Sequence, residues 1–414
     1  MTTTKNNEHN KLNVPNKREQ NQTCLDSAER EGLRPKGNVP NLRFPEFQGE
    51  WEKCKLGDKC DLLCGYAFDG KNIVEQGTYL LMRGINITEG IIRHSSELDR
   101  YYTGSVNNLA KYKLTTGDLV IGMDGSKVGR NSAIVSLTEN GSYLVQRVCR
   151  IKSCIGNDFL LQLVNNHKFH KYVDMVKTSS AIPHISLKDI QNFPIAVPSI
   201  QKEADKISRL FHLLDERITT QNKVIEDLKK LKSAISENLF KDVKGNIVML
   251  SEICEIIKGK QINGEFLSEK GKYYVMNGGT EPSGYYSDYN VEANTISISE
   301  GGNSCGYVQF NTSPFWSGGH CYTIQKIADD VDNLYLYHYL KSQEKAIMKL
   351  RIGSGLPNIQ KKDLAMFKIK TPTVEQQRTI STFLSSLDRK AEIEEMLLNA
   401  MKKEKQYLLR QMFI

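Results

Sequence analysis

The sequence predicts a mixed α/β protein in which two strand-rich globular domains are joined by two long antiparallel coiled-coil helices. Three observations support this fold class. The chain contains an internal sequence repeat of two copies. Each copy begins with short apolar runs bounded by glycine and polar residues, and each ends in a long segment with heptad spacing of apolar residues. Because both copies keep the same order, we expect an internal repeat with pseudo-twofold symmetry.

The duplication is visible in short sequence motifs that the two copies share. The second half repeats Pro198-Ser199, Ile207-Ser208 and Leu214-Asp215 as Pro372-Thr373, Ile380-Ser381 and Leu387-Asp388. The halves also open alike, with Leu56-Gly57-Asp58 matching Leu250-Ser251-Glu252. This repeat predicts five segments, which are a disordered polar tail (1–43), a first domain (44–198), a first helix (199–243), a second domain (244–371) and a second helix (372–414).

The apolar residues of both helices follow alternating steps of three and four, which is the spacing of a coiled-coil seam. The predicted seam consists of Ile207, Phe211, Leu214, Ile218, Ile225, Leu228, Ile235 and Leu239 in the first helix and Ile380, Leu384, Leu387, Ala391, Leu398, Met401, Leu408 and Met412 in the second. Polar residues interrupt both ladders at the same steps, Gln221 and Lys232 in one and Glu394 and Lys405 in the other. Matched interruptions favour pairing of the two helices over about 50 Å. The alternative is that each helix packs only on its own domain.

The helix starts carry capping residues. Thr373 with Gln376 fits a capping box, and Ser199 is the expected cap of the first helix. In the globular halves, we expect strands at 79–82, 119–121, 133–135, 273–276 and 295–299. Apolar spacing of three and four predicts helices over 159–176 and 334–348.

Composition excludes several classes of protein. No apolar run reaches the length of a membrane span, and the N-terminus lacks the apolar core of a signal peptide, so we expect a cytoplasmic protein. The net charge of +8 indicates a modest preference for a polyanionic partner. The cysteines form no Cys-x-x-Cys pair, which argues against a zinc site.

Catalytic motifs are missing from the sequence. An amino-methyltransferase needs an Asn/Asp-Pro-Pro-Tyr/Phe loop and a glycine-rich cofactor turn, and neither is found. A nuclease needs clustered acidic residues and a lysine for metal binding, and Asp124-Gly125-Ser126-Lys127 is too small a group for that. We therefore expect a non-catalytic chain that binds no cofactor or metal itself.

Two glycine-bounded loops, 125–130 and 302–306, each follow a predicted strand and offer amides and polar side chains suited to a phosphate. A plain hairpin turn explains them equally well. Arg83 follows a strand and could read guanine, and the group around Asn277 suits an adenine edge. The candidate DNA contacts are Arg83, Ser126, Lys127, Arg130, Ser180, His184, Asn277, Thr280, Asn303, Ser304, His320, Arg351 and Ser354.

Over residues 39–414 the whole pattern resembles the specificity subunit of type I restriction-modification systems. The resemblance depends on the segment from Val39 to Trp51, on both proline-containing loops and on Pro372-Thr-Val-Glu-Gln-Gln377. The first copy departs from the family pattern, because Ile200-Gln-Lys-Glu203 carries one extra residue before Ile207.

The resemblance implies two target-recognition domains, each reading one half of a bipartite, asymmetric DNA sequence. It implies that the helices set the gap between the halves and dock two modification subunits, which bring S-adenosylmethionine and methylate adenine. Restriction subunits would bring ATP with magnesium and cleave the DNA. The alternative function is a coiled-coil scaffold whose two domains bind proteins.

Overall fold

The structure is a computed structural model that describes residues 37–353, 355 and 357–414. The chain divides into two compact units. The first contains residues 37–218 with Ala400–Ile414, and the second is Thr219–Asn399. Each unit therefore holds one globular domain together with segments of both long helices. Ser354 and most of the predicted N-terminal tail lie outside the described residues.

The first domain is built from ten strands and four short helices. The strands are β1 (Glu52–Lys55), β2 (Cys60–Cys64), β3 (Ile73–Val74), β4 (Tyr79–Met82), β5 (Tyr101–Tyr102), β6 (Leu119–Gly122), β7 (Ser132–Ile134), β8 (Tyr143–Leu144), β9 (Val148–Ser153) and β10 (Pro194–Val197). The helices are α1 (Leu56–Lys59), α2 (Asn157–Val164), α3 (His167–Val176) and α4 (Leu187–Asn192). The strands form sheets of order β2-β9-β6-β7 and β3-β5-β4-β8, and β1 pairs with β10.

The second domain repeats this plan with fewer strands. They are β11 (Asn246–Met249), β12 (Glu255–Lys258), β13 (Tyr273–Met276), β14 (Gly284–Tyr286), β15 (Thr295–Ser299), β16 (Val308–Asn311), β17 (Trp316–Ser317), β18 (Cys321–Gln325) and β19 (Lys368–Thr371). The long helices α5 (Gln201–Asp242) and α10 (Val374–Met412) flank α6 (Leu250–Ile253), α7 (Asn333–Ser342), α8 (Glu344–Met348) and α9 (Lys361–Ala365). The sheet β12-β18-β15-β16 corresponds to β2-β9-β6-β7, and the three-stranded sheet β14-β13-β17 corresponds to β3-β5-β4-β8.

The antiparallel coiled coil is confirmed. In the second unit, Gln221 Nε2 donates to Glu394 Oε2 over 2.6 Å, so the two matched interruptions bond to each other. Lys232 pairs with Asp388 in the same unit. In the first unit the repeat-equivalent residues, Lys405 and Asp215, form the same ion pair. Polar groups thus fill the breaks in the apolar ladder and fix the helix register.

All sixteen predicted seam residues are buried or half-buried. The pairing of the two helices excludes the alternative in which each packs only on its own domain, and the C-terminal end of each long helix packs on the domain of the other repeat. In the first unit, Phe413 contacts the rings of Trp51, Phe159 and Phe211. In the second unit, Phe240, which is the repeat equivalent of Phe413, packs on Tyr335 and Tyr339. Each domain is therefore closed by an aromatic residue from the end of a long helix.

Three local expectations were wrong. The helix predicted over 159–176 is two helices, because the side chain of Asn166 accepts a bond from the amide of Lys168 and starts α3 anew. The helix predicted over 334–348 is likewise broken, at Gln343 between α7 and α8. Ser199 is not the residue that precedes α5, because the helix begins at Gln201, and the Ser199 hydroxyl instead donates to the carbonyl oxygen of Glu50. Thr373 Oγ1 does accept the amide of Gln376 at 3.4 Å.

The end of the predicted tail is ordered. Arg43 binds the carboxylate of Glu203 through two bonds, Nε to Oε1 and Nη2 to Oε2, each 2.7 Å long. Glu203 is fully buried and also accepts from Trp51 Nε1. A buried carboxylate needs such partners. The first domain therefore begins earlier than residue 44. The polar composition of this segment gave no indication of the ion pair between Arg43 and Glu203.

Candidate nucleic-acid interface

Three loops of the first domain lie side by side at the ends of strands. We call them the hairpin loop (123–129), the crossing loop (145–147) and the helix-exit loop (178–184), and together the three-loop face. The amide of Gly125 donates to the carbonyl oxygen of Pro183 over 3.0 Å, which joins the hairpin loop to the helix-exit loop. The amide of Met123 donates to the carbonyl oxygen of Arg147 over 2.9 Å, which joins the hairpin loop to the crossing loop.

The second domain builds the same face with the same backbone bonds. Its hairpin, crossing and helix-exit loops are residues 300–306, 318–320 and 352–358, of which 354 and 356 are outside the described residues. The amide of Gly302 donates to Pro357 over 2.9 Å, and the amide of Glu300 donates to His320 over 2.9 Å. Equal bonds at equivalent positions identify which residues of the two domains correspond.

Glycine is required at the end of each hairpin loop. Gly129 has φ +70° and Gly306 has φ +88°, a backbone region that residues with a side chain rarely adopt. A Cβ atom at Gly129 would lie 2.7 Å from Val173 Cγ2 on α3, and one at Gly306 would lie 3.0 Å from Met348 Cα at the end of α8. These glycines let the loop pack closely on a helix, which holds the rest of the loop in place.

The first domain brings together most of its predicted contacts. Ser126 and Lys127 are exposed on the hairpin loop, where Lys127 Nζ lies 3.3 Å from Glu89 Oε1. Arg130 lies just beyond the loop and pairs with Asp174 over 2.8 Å. Such exposed pairs contribute little to stability, so both cations remain available to an anion.

The helix-exit loop of the first domain is held by its own polar side chains. Ser180 Oγ donates to the carbonyl oxygen of Ile182 over 2.7 Å, and His184 Nδ1 lies 3.0 Å from Thr178 Oγ1. These groups are partly occupied in shaping the loop. Arg83 is half-buried directly after β4, with Nη1 3.5 Å from the carbonyl oxygen of Leu98.

The second domain places Asn277 directly after β13, where Arg83 follows β4 in the first. Asn277 Oδ1 accepts the amide of His320 over 3.2 Å, so the strand end and the crossing loop are joined. Thr280 and Asn303 are exposed, and Ser304 is half-buried. The exposed Arg351 immediately precedes the helix-exit loop, while the remaining candidate, Ser354, is outside the described residues.

A buried carboxylate lies under the second face. Glu300 Oε1 accepts Lys258 Nζ over 2.6 Å and the hydroxyl of Tyr322 over 3.0 Å. Burial and the neighbouring carboxylate raise the pKa of Tyr322, so this hydroxyl stays protonated and donates. Glu300 Oε2 is buried without a hydrogen-bond partner, 3.8 Å from His320 Nδ1. The first domain has Met123 at the equivalent position, so only the second face contains this acidic group.

Sequence reasoning missed two residues of these faces. Arg147 occupies the crossing-loop position that His320 holds in the second domain, and Asn358 occupies the helix-exit position of His184. A signal for Asn358 was present in the parallel spelling of Pro183-His184 and Pro357-Asn358. Arg147 had no comparable signal, because Val145-Gln146-Arg147 and Gly318-Gly319-His320 share no residue.

Within residues 37–353, 355 and 357–414 no cluster of three or more His, Cys, Asp or Glu side chains is arranged to hold a metal ion. In the same part of the chain no helix has the length and apolar character needed to cross a membrane.

This architecture defines a protein with an internally duplicated domain, in which each copy carries a three-loop face. The family described as the type I restriction modification DNA specificity domain matches residues 48–230 and again residues 243–403. Because these two matches cover more than half of the chain, the protein belongs to this family.

Several relatives carry the same domain. The chain is 36% identical over 145 residues to a putative type I specificity subunit of Mycoplasma pneumoniae, covering 34% of this chain and 38% of that one. It is 30% identical over 194 residues to the EcoAI specificity subunit of Escherichia coli, covering 45% and 31%. The matched regions thus span less than two fifths of these two relatives. The putative MjaX specificity subunit of Methanocaldococcus jannaschii matches over 405 residues at 25% identity, covering 86% and 91%.

Solved structures agree with the fold. The crystal structure of the type I S subunit from Mycoplasma genitalium superposes with a TM-score of 0.61 at 19% identity and covers 91% of this chain and 99% of that one. A chain from a study of type I complex assembly and conformational transition superposes with a TM-score of 0.55 at 17% identity, covering 89% and 98%.

Proposed function

We propose that the protein is the non-catalytic DNA-specificity subunit of a type I restriction-modification complex and reads a bipartite, asymmetric DNA target. One observation carries the proposal. Two three-loop faces are held by the same backbone bonds but present different side chains at equivalent positions. A shared framework with unlike side chains is what two readers of unlike half-sites require.

The faces suit DNA chemically. Exposed Lys127 lies on the first face and half-buried Arg130 borders it, while exposed Arg351 borders the second face, so each face offers cations to phosphate. Asn277, Asn303 and Ser304 add hydrogen-bonding side chains in the second domain, where an amide can bond an adenine edge. The candidate contacts predicted from sequence are proposed DNA contacts on this basis.

The family match supports the proposed partners. We expect the paired helices α5 and α10 to dock two modification subunits and to set the gap between the half-sites. S-adenosylmethionine would be bound by those subunits, and ATP with magnesium by restriction subunits, rather than by this chain. The compartment we expect is that of the DNA, the cytoplasm. A scaffold with two protein-binding domains is not favoured by the family match.

The test is a methylome. The chain is co-expressed with a type I modification subunit from the same genome in a host that lacks adenine methylation, and the DNA is sequenced by a method sensitive to N6-methyladenine. We expect a split motif with two specified parts around a fixed gap. A stable complex that leaves the genome unmethylated, and that shows no preference among DNA sequences, contradicts the proposal.

A further inference from the structure

The crossing loop of the first domain holds Arg147 in a left-handed backbone conformation, with φ 70°. Only three non-glycine residues in the described part of the chain have a positive φ. Glycine adopts this conformation without strain, whereas a residue with a Cβ atom does so at an energetic cost. An arginine at such a position indicates that its side chain is needed there.

Among the residues that the structure describes, the guanidinium of Arg147 has no hydrogen-bond or ion-pair partner. Residues 44–198, all of which the structure describes, contain five other arginines, and each uses its guanidinium in a bond within the domain: Arg83, Arg93, Arg100, Arg130 and Arg150. Arg147 is exposed, and its side chain makes no hydrogen bond or ion pair in this range. Its N–H donors are therefore open to a ligand.

Arg147 also lies at the centre of the first face. Its carbonyl oxygen accepts from Met123 in the hairpin loop. The amide of Val145 in the same loop donates to Met82 at the end of β4, over 3.1 Å. In the second domain His320 has the matched position, and its side chain is 65% exposed. Both domains thus present a nitrogen-bearing side chain at one place in the framework.

Building on the proposed function, we propose that Arg147 is a specificity-determining residue that reads a guanine in the half-site of the first domain, and that His320 holds the matched position for the other half-site. A guanidinium can donate two parallel bonds to the O6 and N7 atoms of guanine in the major groove. A phosphate contact by the same group would add affinity without selecting a base. The free donors and the central position favour base reading.

The experiment uses the full chain in its complex with the modification subunit. Binding is measured by fluorescence anisotropy on a duplex carrying the motif from the methylome and on duplexes with one base pair changed. We expect the wild type to discriminate at one G·C pair of the first half-site by roughly 5- to 150-fold. Arg147→Ala should lose that discrimination and keep it at every other position.

Two further variants separate base reading from a structural role. Arg147→Gly relieves the backbone, so it should melt at the same or a higher temperature and still lose the discrimination. Arg147→Lys keeps the charge without the paired donors, so it should retain most of the overall affinity but discriminate poorly. Lys53→Ala, which removes one charge from an exposed position on β1, is the control and should change neither property.

The outcomes are distinct. If the Arg147 variants weaken binding equally to all duplexes, abolish it altogether or leave every preference unchanged, the base-reading role is wrong while the specificity function stands. If the wild-type complex itself shows no split motif and no base preference, the proposed function fails.

Discussion

The two recognition domains share a framework but differ in charge on their faces. At the strand end, the hairpin loop and the crossing loop, the first domain presents cations where the second presents neutral or titratable groups, the pairs being Arg83 and Asn277, Lys127 and Ser304, and Arg147 and His320. The second face alone has a buried carboxylate, Glu300, beneath it. The backbone bonds, which fix the loops, are the same in both. The comparison teaches that backbone hydrogen bonds fix the geometry of the loops, whereas side chains determine the preference for a target. The side chains can therefore vary without a change in loop geometry.

The largest expected effect concerns the aromatic residue that closes each domain. Phe413→Ala removes a ring that contacts three aromatic neighbours and should lower the free energy of unfolding of the first unit by about 3–5 kcal/mol. Phe240→Ala should do the same to the second unit, because Phe240 is equally buried. Urea unfolding of the full chain measures both. The control is Phe383→Ala, a half-exposed position on α10, with an expected cost below about 1 kcal/mol. If either Phe413→Ala or Phe240→Ala loses no more unfolding free energy than Phe383→Ala, the two aromatic residues do not close their domains in the same way.

A smaller effect is expected at the start of α5, where the copies differ. Glu203→Ala leaves Arg43 without its buried partner and should destabilise the first unit towards the lower end of about 3–5 kcal/mol, since Arg43 keeps its bonds to the carbonyl oxygens of Gln48 and Gly49. The matching residue of α10, Gln376, is exposed, and Gln376→Ala should cost within about 0.5 kcal/mol. Equal melting curves for the two variants would show that the buried ion pair adds nothing.

Two histidines should give the units opposite responses to pH. Partial burial opposes protonation of His94, but the hydrogen bonds that its ring donates to the carboxylates of Glu139 and Asp99 outweigh this and raise its pKa above the ordinary value near 6.5. Burial, with Lys232 nearby, lowers the pKa of His338 to about 4. The contribution of His94 is complete below pH 6.5 and is lost as pH rises through its folded pKa. The contribution of His338 is complete above pH 6.5 and is lost as pH falls towards 4.

Thermal unfolding between roughly pH 4.5 and 8 measures both pH effects, because this range extends to either side of the ordinary histidine pKa. His338→Gln should flatten the loss of stability on the acid side, and His94→Gln should remove a gain of stability on acidification. Profiles that run parallel to the wild type for both variants would contradict the assignment.

Much of the fold could be predicted from the sequence, because the periodic spacing of apolar residues can be recognised in a single sequence. The heptad steps and the matched interruptions at Gln221 and Glu394 predicted the paired helices. The predicted boundaries of individual elements were wrong where single side chains form specific hydrogen bonds. Asn166 restarts a helix by capping it, and Arg43 is ordered by a carboxylate distant in the chain.

The face was harder to predict, since it is assembled by backbone bonds between loops far apart in sequence. Glycine spelling identified the hairpin loops, and the repeat pointed to the helix-exit loops. The crossing loops carry no common spelling, so the match of Arg147 with His320 becomes visible only through the bonds to Met123 and Glu300.

The central claim is that each domain reads one half-site. It is tested most directly by comparing methylomes of two loop variants, Ser126→Ala with Lys127→Ala in the first hairpin loop and Asn303→Ala with Ser304→Ala in the second. The substituted side chains are exposed or half-exposed, so both proteins should fold. The account predicts that each variant relaxes or reduces methylation through one half of the motif only, a different half in each case, with the gap unchanged. Changes in both halves from a single variant, or in the same half from both variants, would contradict it.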